Sequence, residues 1–228
     1  NQAVAAARYG NRVVFVAKTG DDLFGKQVRK SLAEDNIVTD YVFVDTDHPS
    51  GVALITIDKE AENCIVVASG ANMYLSPKDI DVAAEEILKA DVVLMQLECP
   101  VETVAYAAKM AAEAGVRVIL NPAPAAKVSD EALSKLYLIT PNQTEAELLT
   151  GIEVTDEASA IKASEALCAL GVKKVVITLG SDGAMLYEDG NSTIIPAHKV
   201  NAVDTTAAGD VYPGMSGAVA DGFRWQCA

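Results

Sequence analysis

Apolar residues in this chain follow two patterns, short unbroken runs and longer stretches at helical spacing. Residues 2–9 read as a helix and 13–17 as a strand. A helix over 23–35 follows, with Leu23, Val28 and Leu32 facing inward. Three runs, 42–44, 52–57 and 64–68, then follow with no helix between them. They predict short antiparallel strands, separated at His48-Pro49-Ser50-Gly51 and Asp58-Lys59-Glu60-Ala61. Beyond Gly70-Ala71-Asn72 the alternation is regular. Helices are predicted at 77–89, 101–114, 130–135, 144–150 and 157–170, and strands at 92–97, 117–120, 136–139 and 174–179. Such alternation implies a mostly parallel sheet covered by helices on both faces. The three-strand segment, 41–69, is too small to fold alone and reads as a β lid or flap on one main domain.

In an open parallel sheet, ligands bind beyond the carboxyl ends of the strands. Polar residues gather there: Gln96 and Glu98, Asn121, Thr140 and Asn142, then Thr178, Gly180 and Ser181. Glu98, after an apolar strand, is placed to cap the next helix or to accept hydrogen bonds from a polyol. Asn142 and Glu145 have capping-box spacing. The same pair, on one face of a first helical turn, suits Mg²⁺ or its waters, since Mg²⁺ takes few protein ligands. Gly180 and Gly183 allow close backbone approach to a ligand, as they also would in a tight hairpin.

The densest candidate chemistry is Val203-Asp204-Thr205-Thr206-Ala207-Ala208-Gly209-Asp210. The small residues before Asp210 free their N–H groups to converge on an anion at a helix start. Asp210 is then placed to take a proton from a hydroxyl while those N–H groups hold the charge forming on a phosphoryl group. An ordinary turn or N-cap is the other reading of Gly209-Asp210. By contrast, Gly20 to Gln27 nearly matches the P-loop GxxxxGK[ST], and we reject it. Gln27 stands where the Mg²⁺-binding hydroxyl belongs, and Asp21-Asp22 would face the phosphates, so the segment is an aspartate-capped βα turn.

Composition narrows the partners. The 228 residues carry a net charge of −14, are 50% hydrophobic and only 5% aromatic. That balance suits an α/β protein and repels nucleic acid and anionic membranes. No apolar run of membrane-spanning length occurs. Cys64, Cys99, Cys168 and Cys227 show no zinc or disulfide spacing, which fits a reducing cytoplasm. His48 and His198 lie in loop-like contexts and read as solvated.

In order along the chain, Asn1-Gln2-Ala3, Thr19-Gly20-Asp21-Asp22, Gly70-Ala71-Asn72, Met95-Gln96-Leu97-Glu98, Asn121-Pro122-Ala123-Pro124, Thr140-Pro141-Asn142-Gln143-Thr144-Glu145, Thr178-Leu179-Gly180 and Asp204 to Asp210 resemble the PfkB family of carbohydrate kinases. The resemblance runs from Asn1 to about Gly214. It implies a three-layer α/β sandwich with a β lid, and ATP-dependent phosphorylation of the 5-hydroxyl of D-ribose. The rival expectations are another sugar or nucleoside kinase of the family, or a fragment that binds without turnover. Asp210 resembles the catalytic base, and Ala207, Ala208 and Gly209 the anion hole. Asn1, Glu98 and Asp210 match sugar-binding positions. Asn142, Thr178, Leu179, Gly180, Ser181, Asp182, Gly183 and Gly209 match the nucleotide site. Asn142 and Glu145 match the Mg²⁺ element, and Asp204 and Thr206 part of a K⁺ site. The resemblance also implies a homodimer if the full-length chain is present. The family's opening strand, sugar loop and adenine-site segment have no counterpart here. Val211-Tyr212-Pro213-Gly214-Met215 departs from the family's continuation of the catalytic helix.

Overall fold

The computed structural model describes residues 1–57 and 63–197, which fall into two compact units. The first comprises residues 1–86 and 98–103, the second residues 87–97 and 104–197.

In the first unit, α1 (Gln2–Arg8) precedes β1 (Ala17–Gly20), α2 (Leu23–Glu34) and β2 (Val42–Asp45). Leu32, Ile37 and Val42 are its buried centre, with Ala3, Val4, Ala7, Val13 and Phe15 packed against them. β2 runs parallel to β1, with Ala17 opposite Val42 and Gly20 opposite Asp45. This corrects the expectation that 42–44 belongs to an antiparallel flap. The intervening α2 is a crossover, the connection that parallel neighbours require. The other two expected runs, β3 (Val52–Ile57) and β4 (Asn63–Ala68), do pair antiparallel, with Val52 opposite Ala68 and Ile57 opposite Asn63. The expected strand at 13–17 also lies later in the chain. Val14 makes one bridge to Val38, and the ladder itself starts at Ala17.

The helix expected over 77–89 is two, α3 (Pro77–Val82) and α4 (Ala84–Lys89). At Ala83 the N–H bonds to the carbonyls of both Ile80, at 3.0 Å, and Asp79, at 3.3 Å. The chain tightens there towards the i→i−3 pattern without any Pro or Gly, so no residue type marks the break. Asp79 accepts from the backbone N–H and the hydroxyl of Ser76, and from Lys18 Nζ at 2.7 Å. Burial alone would raise its carboxyl, but the bonds from Lys18 and Ser76 outweigh that and hold it below its ordinary value.

The second unit contains β5 (Val92–Met95), α5 (Val101–Glu113), β6 (Arg117–Leu120), α6 (Asp130–Leu133), β7 (Leu138–Ile139), α7 (Gln143–Thr150), α8 (Glu157–Ala169), β8 (Lys174–Thr178), β9 (Ala184–Glu188) and β10 (Asn191–Ile195). Its six-stranded sheet has the order β10-β9-β8-β7-β6-β5. β5 to β8 are parallel. Val118, Ile119 and Leu120, Leu138 and Ile139, and Val175 to Ile177 are all buried, the continuous apolar pattern of strands covered on both faces. The β9–β10 hairpin was not expected. Asp189 (φ 49°) and Gly190 (φ 78°) turn it, and an Asp-Gly pair with two positive φ angles suits a two-residue hairpin loop.

Candidate active site

The parallel strands of the second unit end on one polar edge, and its central member is Asn121. Its side chain is 7% exposed. Its Nδ2 donates to the Thr140 carbonyl at 2.9 Å, and its Oδ1 accepts from Gln96 Nε2 at 3.3 Å. Its backbone N–H reaches Met95 O, and the N–H of Thr140 reaches Leu120 O, both at 2.9 Å. One amide therefore ties together the ends of β5, β6 and β7. The sequence marked Asn121 as a strand-end residue but gave it no site role.

Two residues beyond Thr140, Asn142 caps α7. Its Oδ1 accepts from the Glu145 N–H at 2.8 Å, and Glu145 Oε2 accepts from the Asn142 N–H at 2.8 Å. The expected capping box is present. Glu145 is only 6% exposed, and burial raises its carboxyl above the ordinary value despite the bond from Asn142. Burial of this kind favours the neutral, protonated form of the carboxyl.

Thr178 joins this cluster through the end of β8. Asn142 and Thr178 form a parallel bridge, and the Thr178 N–H donates to Pro141 O at 3.0 Å. Gly180–Asp182 then forms a single 3₁₀ turn, closed by Leu179 N–H to Gly183 O at 2.8 Å. Gly180 (φ +58°) has open space where a Cβ would point, whereas a Cβ on Gly183 would collide with Ile195 O. Gly180, Ser181 and Asp182 are exposed on this turn.

The structure thus brings Asn142, Glu145, Thr178 and the 179–183 turn together in one unit. Asn1 and Glu98 belong to the other unit, and both are exposed. Asn1 stands at the N-cap position of α1 but makes no capping bond. Asp204, Thr206, Ala207, Ala208, Gly209 and Asp210, together with His198 and Cys227, lie outside the described residues. Among the described residues, no group of three His, Cys, Asp or Glu side chains is arranged to cage a metal. Nor is any helix long and apolar enough to cross a membrane.

His48 corrects a further expectation. Its ring is not free in solvent, because Nδ1 lies 3.1 Å from Asp45 Oδ1 and the ring stacks on Tyr74 with centroids 3.4 Å apart. The turn at Gly20–Gln27 is the aspartate-capped turn predicted, with Asp22 Oδ1 accepting from the Gly25 N–H at 2.8 Å.

Comparison with known proteins decides the family. The pfkB family carbohydrate kinase profile matches residues 1–220. The chain belongs to the PfkB family. It is a sugar kinase, a phosphotransferase with the ribokinase-like α/β fold. Ribokinase from Haemophilus influenzae is 46% identical over 94% of the chain and 70% of that protein. Deoxyribokinase from Salmonella typhi is 39% identical, with 94% of the chain and 70% of that protein covered. The structure of Arabidopsis thaliana ribokinase complexed with ribose and ATP matches with a TM-score of 0.86 at 30% identity, covering 93% of this chain and 70% of that one.

Glu145 yields a prediction with a definite sign. Its raised carboxyl favours the protonated form in the folded state, so that contribution to stability is present at low pH and lost as pH rises through the folded-state value. Glu145→Gln keeps an acceptor for the Asn142 N–H and removes the buried charge. At pH 7 it should raise Tm, because the variant no longer buries a charge there. The gain should shrink as pH is lowered through the range where Glu145 protonates. A thermal melt series that finds the variant less stable at pH 7 contradicts this assignment.

Proposed function

We propose that this chain transfers the γ-phosphoryl group of ATP to the 5-hydroxyl of D-ribose, giving D-ribose 5-phosphate and ADP. The observation that carries this reading is the similarity to ribokinase over 94% of the chain. The strand-end cluster of Asn142, Glu145 and Thr178 supports it. Asp210 takes the hydroxyl proton as the sugar oxygen attacks the γ-phosphorus, and the bond to the β,γ-bridging oxygen breaks to release ADP. The N–H groups of Ala207, Ala208 and Gly209 stabilise the charge that develops on the transferring group. Asn1 and Glu98 hold sugar hydroxyls. Asn142, the turn from Thr178 to Gly183, and Gly209 hold the nucleotide.

Glu145 and Asn142 would hold Mg²⁺ largely through its waters. One carboxylate oxygen and one amide oxygen of this pair are already engaged in the capping box, and an ion that retains several waters fits such a sparse donor set. When bound, Mg²⁺ neutralises phosphate charge. Asp204 and Thr206 would take K⁺, which orders the turn leading into the anion hole.

The β3–β4 hairpin serves as the lid over the sugar. Leu54 and Val66 on it are 70% and 61% exposed, and this apolar surface supports a homodimer. The cytoplasm is the expected compartment, with a small sugar and ATP as the partners.

A coupled assay for ADP with ribose and 2-deoxyribose in parallel tests the reading. The second sugar is included because of the similarity to deoxyribokinase. The account predicts a higher kcat/KM for ribose, and a preference for deoxyribose would move the assignment to that substrate. Asp210→Asn should lower kcat by at least ~10²-fold, the usual scale for losing an acid–base group. Near-normal turnover in that variant would reduce Asp210 to a cap.

Sugar and cation readouts separate the remaining roles. Glu98→Ala should raise KM for ribose by about tenfold, as loss of a hydrogen bond to a charged group implies, and leave KM for ATP nearly unchanged. Equal effects on both substrates would make Glu98 structural. At constant ionic strength, replacing Na⁺ with K⁺ should raise kcat. Identical rates would remove the K⁺ site and leave the kinase assignment intact.

A further inference from the structure

The aspartate-capped turn has a second attachment that helix capping does not explain. Asp22 Oδ2 accepts from the Ser50 N–H at 2.7 Å, and Oδ1 accepts from the Ser50 hydroxyl at 2.7 Å as well as from Gly25. The Ser50 hydroxyl in turn accepts from the Gly20 N–H at 3.0 Å. Ser50 is 6% exposed and lies two residues before β3. One residue earlier, Pro49 O accepts from the Ala71 N–H at 2.8 Å, three residues beyond β4. Both ends of the hairpin therefore pass through one knot whose charged centre is Asp22.

Glycines leave this knot no slack. A Cβ on Gly20 would stand 2.5 Å from Ser50 N, and one on Gly51 would stand 2.6 Å from Ser69 O. Gly70, at φ +51°, has Pro49 O directly where its Cβ would be. Backbone meets backbone at all three places, so the segments cannot slide past one another without breaking these bonds. Beyond the knot, Val52, Leu54, Val66 and Val67 are exposed, so these hairpin positions have little packing of their own. The hydrogen bonds from Gly25 and then Ser50 hold the Asp22 carboxyl down at about 2, so it stays ionised throughout the working range.

We infer that Asp22, through Ser50, is a positioning residue that fixes the root of the β3–β4 hairpin and so sets affinity for the sugar. This rests on the reading of the hairpin as the lid of a ribose kinase. A turn that only capped α2 would have no reason to bind the start of β3.

The test uses Asp22→Asn and Ser50→Ala in the full chain, the second being the milder change should the first fail to fold. Both should raise KM for ribose by at least about fivefold while KM for ATP stays within about twofold, as loss of a charge-assisted hydrogen bond implies. Hydrogen exchange at 52–57 and 63–68 should accelerate, with 92–95 and 117–120 unchanged. In a double-mutant cycle the two substitutions should be non-additive, because both act on the bond from the Ser50 hydroxyl to the Asp22 carboxylate. Unchanged ribose KM in a folded Ser50→Ala variant, or equal rises in both KM values, overturns the inference. Absence of ribose turnover in the unsubstituted chain would count against the kinase reading, and hydrogen exchange then decides the hairpin root by itself. Faster exchange confined to the hairpin supports it, and no change overturns it.

Discussion

Parallel strands leave backbone groups at their carboxyl ends that the ladder no longer satisfies, and in the second unit a single amide meets that need. Asn121 sits 7% exposed between three strand ends, donating to Thr140 O and accepting from Gln96. A buried carbonyl left without a partner costs about 1–3 kcal/mol, and each side-chain amide left over adds to that. The position of Thr140 sets that of Pro141 and Asn142, and Pro141 O in turn holds Thr178. The capping box, the 3₁₀ turn and the candidate nucleotide groups all follow from where that amide places β7.

Charge explains why the site is built this way. With 32 acidic against 18 basic residues, the overall charge of the chain does not attract polyphosphate. The strand-end groups are instead a capping amide, a threonine, exposed glycine and serine positions and one buried glutamate. Dipoles of this kind favour an anion only at close range and in fixed directions. Their placement therefore matters more than their number. The first unit repeats the principle with the opposite sign, since the anionic Asp22 is stabilised by N–H and O–H donors.

Much of this was legible in the chain itself. Asn142-Gln143-Thr144-Glu145 announced a capping box because both partners lie within one turn, and Asp22 announced its cap for the same reason. Contacts between distant segments carried no such signal. The Asp22–Ser50 bonds span 28 residues, and neither residue type predicts the other. Val42–Asp45 looked like a lid strand because the runs after it were also short. Its partner was decided by α2 before it. The β9–β10 turn did carry a signal, Asp189-Gly190, which was overshadowed by the ligand reading of the glycines just upstream. His48 looked solvated because neither Asp45 nor Tyr74 is marked by spacing as its neighbour.

The dependence on Asn121 is open to direct measurement. Calorimetric titration of Mg·ATP into the unsubstituted chain and into Asn121→Ala separates a merely structural amide from one that sets the strand-end site. The account predicts that Asn121→Ala weakens Mg·ATP binding by about tenfold or more, in keeping with an unpaired Thr140 carbonyl and a displaced Asn142. A variant that melts earlier yet binds Mg·ATP with unchanged affinity would contradict it, because the site would then be held together without the amide.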